Sequence, residues 1–167
     1  MSIGIVILRL AVGLTLAAHG AQKLFGWFGG AGLAKSGQGL EQLGFVPGRR
    51  NALMAGLTES AGGLLLALGL ATPIAAAVVF AVMLVAGVSA HYKQGFFLQN
   101  HGYEYTLVLG LAGLSIAFTG AGPLSLDALL GVQLAGARWG FSALAVGLLG
   151  GALQLDGRHL PAAQRSQ

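Results

Sequence analysis

Three ionisable side chains, Arg9, His19 and Lys23, interrupt the first apolar stretch of the chain, residues 8–28. A charged side chain at the centre of a bilayer costs roughly 2.5–3.5 kcal/mol on insertion scales, so such residues usually face a protein interior, a cavity or the interface. His19 and Lys23 share one face of a helix because they are four residues apart. Arg9 lies roughly 21 Å from Lys23 along the helix axis. The stretch predicts a spanning helix with a cation toward each end.

Four more ionisable side chains follow later in the chain. Glu59 lies inside a second apolar segment, and His91, His101 and Glu104 belong to a polar, aromatic connection at residues 91–105. Histidine titrates near neutral pH, and a Glu–His pair can hold a proton or an anionic redox product. The candidate ligand-binding residues are Arg9, His19, Lys23, Glu59, His91, His101 and Glu104.

The same side chains include three histidines and two glutamates, which are possible metal ligands. No His-x-x-His or Glu-x-x-His pair preorganises a site, so no metal centre is predicted. The absence of cysteine excludes disulfides and thiolate ligands.

The composition is that of a polytopic membrane protein. Hydrophobic residues make up 55% of the 167 residues, charged residues 8%, and the mean hydropathy is +0.76. Soluble domains carry about 25% charged residues. The nine lysines and arginines are scattered rather than grouped in a basic patch, so nucleic-acid binding is not expected.

Apolar length and helix-stop signals predict the elements that position these side chains. An all-α, up-down bundle of four transmembrane helices is expected, with an amphipathic interfacial helix at residues 31–43 in the first long loop. A flexible glycine-rich loop is the alternative for that segment. A fifth apolar segment with small residues at four-residue spacing is predicted to be a further, C-terminal transmembrane helix. The predicted spans are residues 3–24, 52–70, 74–90, 104–118 and 139–155, with Asn51 and Thr72 as N-caps of the second and third.

The placement of lysine and arginine predicts the orientation. With five spans, all cations of the loops except Arg138 lie on one side, which predicts an external N-terminus and a cytoplasmic C-terminus. In such a bundle Glu59 is closest in depth to His19, and Arg9 and Lys23 are alternative partners. A structural ion pair with a cation of the first span is the alternative role for Glu59, and snorkelling toward the interfaces is the alternative for Arg9 and Lys23.

Several segments together resemble the DoxX family of small bacterial membrane proteins. They are LRLAVGLTLAAHGAQKLFG, TESAGGLLLALGLATP, HYKQGFFLQNHGYEY and the closing PLSLD. The resemblance implies a four-helix core at residues 1–128, with residues 129–167 as a C-terminal extension whose apolar helix could face a partner. It also implies the bacterial inner membrane.

The resemblance also suggests a function. Some members of the family are similar to quinone-reducing subunits in thiosulfate oxidation, and others to membrane partners of redox-stress enzymes. The sequence determines no cofactor, and a quinone is the candidate ligand, with its ring among Phe25, Trp27, Phe96 and Phe97 and its carbonyls near His or Lys donors. A membrane-interface belt is the equal alternative for these aromatic residues. The expected partners are the bilayer, a membrane redox enzyme and, as a homo-oligomer, further copies of the chain. An anchor for a partner enzyme and a proton-linked carrier are the alternatives.

Overall fold

The protein is an all-helical bundle. The computed structural model describes residues 2–159 and contains no strand among them. The helices are α1 (Ser2–Phe25), α2 (Gly32–Gln42), α3 (Gly48–Leu68), α4 (Thr72–Ala86), α5 (Glu104–Thr119), α6 (Leu126–Leu129) and α7 (Ala137–Asp156). The predicted fold class, a helical membrane bundle, is confirmed. The predicted interfacial segment forms α2 rather than a glycine-rich loop.

Three helical segments are long and apolar enough to cross a bilayer: Ile3–Phe25, Gly48–Leu68 and Thr72–Gln94. The third consists of α4 and its continuation through a π-helical turn, Gly87–His91, and a 3-10 turn, Tyr92–Gln94. The shorter apolar helix α5 packs antiparallel to α4, since Gly110 lies beside Met83 and Gly113 beside Val79.

Helices α1 and α3 pack antiparallel at very short range. Gly13 of α1 lies against Gly63 of α3, where a Cβ on Gly13 would stand 2.5 Å from the Gly63 carbonyl oxygen. Two turns further along α1, Gly20 lies against Gly56 and Ser60. Small residues allow two membrane helices to approach this closely, and the contact holds the polar residues of α1 against α3.

Helix α7 extends the full height of the bundle and runs parallel to α4. Its small-residue stripe packs inside the chain: Gly147 lies against Ala77 and Phe80, and Gly151 lies against Leu84. The stripe is therefore occupied and does not face a partner.

The two ends of α7 are tied to opposite ends of the bundle. At its start, Gly136 donates from its amide to Phe118 O at 2.8 Å, and beyond its end His159 donates to Gly44 O at 2.8 Å. Arg158 also donates through Nε to Leu43 O at 2.9 Å. The last turn of α7 therefore lies next to α2.

The bundle is apolar both inside and outside. Its core includes Leu16, Leu66, Val79 and Ile116, each completely buried. Large apolar side chains such as Ile7, Leu57, Val108 and Leu149 are at least half exposed. An exposed apolar surface on several helices fits a protein surrounded by lipid.

The two predicted N-caps occupy other positions. Helix α3 begins at Gly48, so Asn51 lies in its first turn and donates from Nδ2 to Pro47 O at 3.0 Å. Thr72 is the first residue of α4, and Ala71 precedes it in a left-handed conformation with φ of 49°. Both predictions of capping residues were wrong, because the free backbone amides at the starts of these two helices bond to groups distant in sequence or in the preceding turn.

Candidate functional site

Polar side chains occupy both ends of the bundle. At one end lie His19, Lys23, Glu59 and Tyr105, which we call the Glu59 cluster, next to the loop at residues 91–104. At the opposite end lie Arg9, Thr72 and Asp127, which we call the Arg9 junction.

An ion pair between α1 and α3 forms the centre of the Glu59 cluster. Lys23 Nζ lies 2.6 Å from Glu59 Oε2, and the two side chains are 28% and 7% exposed. Among the described residues, Glu59 Oε1 accepts no hydrogen bond. Lys23 therefore pairs with Glu59 instead of snorkelling, and one carboxylate oxygen is left for a proton or a ligand.

His19 joins the cluster to α5. Its Nε2 lies 3.2 Å from the hydroxyl of Tyr105, and the two rings meet edge to face with centroids 6.1 Å apart. Glu59 was expected to be closest to His19, but the carboxylate pairs with Lys23 one turn further along α1. The Lys23–Glu59 and His19–Tyr105 pairs therefore bring α1, α3 and α5 together around one group of ionisable side chains.

The loop at residues 91–104 holds the other predicted site residues. His91 Nδ1 lies 2.7 Å from His101 O. Glu104 does not cap α5 with its side chain: its Oε2 accepts from the Leu98 amide at 3.0 Å. These contacts fold the loop upon itself at the end of the bundle that holds the Glu59 cluster.

Arg9 neither reaches Glu59 nor snorkels outward, and both expectations for it were wrong. The side chain is 4% exposed and donates from Nε to Ala67 O at 2.9 Å. Its Nη1 and Nη2 donate to Ala121 O and Leu124 O, each at 2.6 Å. Arg9 therefore joins the end of α3 to the loop between α5 and α6, away from the Glu59 cluster.

Asp127 completes the Arg9 junction by capping α4. Its Oδ1 accepts from the Ala71 amide at 2.8 Å, and its Oδ2 accepts from the Thr72 amide at 3.0 Å and hydroxyl at 2.6 Å. Its own amide donates to Gly69 O at 2.8 Å. Asp127 was not predicted as a site residue, although the PLSLD segment that carries part of the family resemblance contains it. Every polar atom of its carboxylate is used in holding the α3–α4 turn.

The aromatic residues expected around a ligand ring form two separate groups. Phe25 packs with Trp27 at a centroid distance of 4.9 Å, whereas Phe96 packs with Phe97 at 5.2 Å and with Tyr103 at 5.5 Å. No aromatic contact among residues 2–159 joins the two groups. All four side chains are exposed by 41% or more, as in an interfacial belt.

A cavity of about 150 Å³ lies between α4 and α5, at the end that holds the Glu59 cluster. No charged side chain lines it. Its walls are Phe80, Met83, Leu84, Gly87, Val88, Tyr92, Tyr103, Thr106, Leu107 and Gly110. A second cavity, of about 380 Å³, lies beside the Arg9 junction and is lined by residues of the loop at 119–135.

The chemistry available at the Glu59 cluster is hydrogen bonding and proton exchange. A carboxylate, an imidazole, an ammonium and a phenol lie on three neighbouring helices. Within the described residues, no group of three or more His, Asp or Glu side chains is placed to hold a metal ion.

The fold and the two polar ends define a polytopic helical membrane protein with ionisable side chains held between its helices. Two family models match the chain: DoxX over residues 4–92, and "TQO small subunit DoxD" over residues 50–148. The chain belongs to the DoxX family, as its resemblance predicted, and these families link it to membrane redox complexes. No curated protein and no solved structure matches it.

Proposed function

We propose that this protein is a quinone- or small-ligand-binding subunit of a membrane redox complex, with the polar part of the ligand at the Glu59 cluster. TQO is thiosulfate:quinone oxidoreductase, and the match to its small subunit covers residues 50–148, which include Glu59 and Tyr105. The proposal assigns ligand binding and proton exchange to this chain and electron supply to a partner enzyme.

The free oxygen of Glu59 is the observation that carries the proposal. A largely buried carboxylate at membrane depth is costly, and its placement favours a functional role. Lys23 neutralises the charge through Oε2, while Oε1 has no partner in the described part of the chain. His19, one helical turn from Lys23 on α1, adds a ring nitrogen that lies 3.2 Å from the Tyr105 hydroxyl.

The orientation is part of the proposal. Lys35, Arg49, Arg50 and Lys93 are exposed at the end that holds the Glu59 cluster. An excess of lysine and arginine marks the cytoplasmic side of a membrane protein. We infer that the cluster faces the cytoplasm, that the N-terminus lies outside, and that the membrane is the bacterial inner membrane.

A membrane anchor for a partner enzyme remains the second candidate, supported by the same exposed cations and by α2. It does not gain support from α7, whose small-residue stripe packs against α4. A proton-linked carrier has less support, because Arg9 is held by three carbonyl groups and is not available to Glu59.

Quinone binding to the purified protein in phospholipid nanodiscs tests the proposal. We expect Glu59→Gln and His19→Ala to weaken binding about tenfold, equivalent to about 1.4 kcal/mol. Asp156→Asn and His159→Ala are matched controls, since both side chains are exposed and make no hydrogen bond within the described residues.

A further variant separates ligand binding from structural pairing. Lys23→Met removes the ion pair but keeps the Glu59 carboxylate. If Lys23→Met and Glu59→Gln weaken binding equally, Glu59 acts through the bundle and not on the ligand. Absence of quinone binding by the wild-type protein would refute the proposed function.

A further inference from the structure

The cavity between α4 and α5 lies beside an irregular stretch of backbone. Helix α4 passes into the π-helical turn Gly87–His91, and Gly87 and Val88 of that turn line the cavity together with Tyr92. Elsewhere the two helices are in close contact, since a Cβ on Gly113 would stand 2.7 Å from Val79 Cγ1. Single π-helical turns are frequent at functional sites, and protein interiors leave few voids.

The lining of this cavity selects an uncharged, apolar occupant. It contains no ionisable side chain other than the phenols of Tyr92 and Tyr103, and the hydroxyl of Thr106 is engaged by Tyr103 O at 2.9 Å. A volume of about 150 Å³ is large enough for a benzene-sized hydrocarbon. This cavity therefore has room for a short branched or cyclic hydrocarbon group, and no means to bind a polar ion.

The occupant can enter from the bilayer. Val88 and Leu107 line the cavity and are 44% and 42% exposed, so they form a rim on the outer surface of the bundle. Val88 belongs to a segment long and apolar enough to cross a bilayer, Thr72–Gln94, and Leu107 belongs to the shorter apolar helix α5. A hydrocarbon chain dissolved in the membrane reaches this rim without passing through water.

Helix α5 lies between the cavity and the Glu59 cluster and contributes side chains to both. Tyr105 at its start contacts His19, while Tyr103 and Thr106, on either side of it in sequence, line the cavity. A polar head at the cluster and an apolar group in the cavity are thus separated by the first turn of one helix.

We propose that the cavity receives the ring-proximal part of the hydrocarbon tail of a lipid-soluble quinone whose head binds at the Glu59 cluster. This inference rests on the proposed function and narrows it: the ligand is an amphiphile drawn from the membrane, not a water-soluble molecule. The ring of the ligand is placed at the cluster, and the two aromatic groups around Phe25 and Phe96 are left to the interface.

Two quinones with the same ring, one with a decyl tail and one without, test the inference in nanodiscs. Leu107→Trp and Val88→Trp fill the cavity from its rim, and Val108→Trp is the control because it is 61% exposed on the same helix and does not line the cavity. We expect both cavity variants to bind the tailed quinone about tenfold more weakly, equivalent to about 1.4 kcal/mol. The cavity variants should bind the tailless quinone as the wild-type protein does. The control Val108→Trp should bind both quinones with unchanged affinity.

Each of the other outcomes contradicts either this inference or the proposed function. If both cavity variants bind the tailed quinone like the wild type, lipid chains fill the cavity and the inference fails while the proposed function stands. If the cavity variants bind the tailed and the tailless quinone with equally reduced affinity, the ring occupies the cavity and the assignment of the tail to it is wrong. If the wild-type protein binds neither quinone, the proposed function itself fails.

Discussion

Asp127 holds Thr72 through two hydrogen bonds, at 3.0 Å from the Thr72 amide and 2.6 Å from its hydroxyl, although 55 residues separate them in sequence. Thr72 is completely buried and Asp127 is 5% exposed. The start of α4 is therefore capped by a residue from the far side of α5. This contact and the three hydrogen bonds of Arg9 join four segments of the chain at one end of the bundle.

Asp127→Ala should lower the stability of the bundle by about 2 kcal/mol or more, because it removes a helix cap and leaves buried donors unpaired. Asp127→Asn, which keeps one carbonyl oxygen as acceptor, should lose less. Thermal unfolding in detergent, followed by circular dichroism, measures both. Asp156→Ala is the exposed control, and equal melting temperatures for Asp127→Ala and the wild type would show that the cap is dispensable.

Arg9→Lys should destabilise the protein although it keeps the positive charge. Arg9 donates through three nitrogen atoms to three carbonyl groups, whereas a lysine ammonium is a single point that cannot reach all of them. We expect a loss of about 2 kcal/mol for the unpaired buried carbonyls. Arg138→Lys, an exposed replacement at the same end of the bundle, should leave the melting temperature unchanged. A stable Arg9→Lys protein would mean that charge alone matters at this position.

A double-mutant cycle measures the pair formed by Lys23 and Glu59. Lys23→Met and Glu59→Gln should each destabilise the protein, and the double variant should recover part of the loss, because each single change leaves one partner unpaired. Residues in direct contact typically show coupling of about 0.5–3 kcal/mol. The free energy of unfolding in a denaturing detergent is the measurement. Strict additivity of the two losses would indicate that the 2.6 Å contact contributes nothing.

The absence of cysteine allows a direct test of the topology. Single cysteines at Lys35, Gln133 and Asp156, all exposed, should react with a membrane-impermeant maleimide from the side on which each lies. We expect Lys35→Cys and Asp156→Cys to react only from the cytoplasmic side, and Gln133→Cys only from outside. Labelling of Asp156→Cys and Gln133→Cys from the same side would show that α7 does not cross the membrane.

The helices were predictable because length, apolar content and helix ends are local properties of the sequence. The span expected at residues 3–24 corresponds to α1 (Ser2–Phe25), and the one expected at 139–155 lies inside α7 (Ala137–Asp156). The predicted helix ends were less accurate. Helix α3 begins at Gly48 rather than at residue 52, since Pro47 lies just before the helix and Asn51, the predicted N-cap, bonds back to it from within the first turn.

The partners of the buried charges were not predictable from depth alone. An estimate along the helix axis leaves His19, Lys23 and Arg9 as possible partners of Glu59, and the choice of Lys23 depends on the rotation of α1 against α3, which the contact of Gly13 with Gly63 fixes. The acceptors of Arg9 are backbone carbonyl groups, which every residue carries. The order of side chains in the sequence therefore cannot indicate that Arg9 bonds to the carbonyl groups of Ala67, Ala121 and Leu124.

The Arg9 junction imposes an order on assembly. Two of the three acceptors of Arg9, Ala121 O and Leu124 O, lie 112 and 115 residues further along the chain. While the chain is being synthesised from its N-terminus, the guanidinium of α1 and the uncapped start of α4 have to wait for the segment that contains Asp127. This end of the bundle is consequently incomplete until residue 127 has been synthesised, and a chain that stops before residue 121 would leave two nitrogen atoms of the buried Arg9 guanidinium without their acceptors.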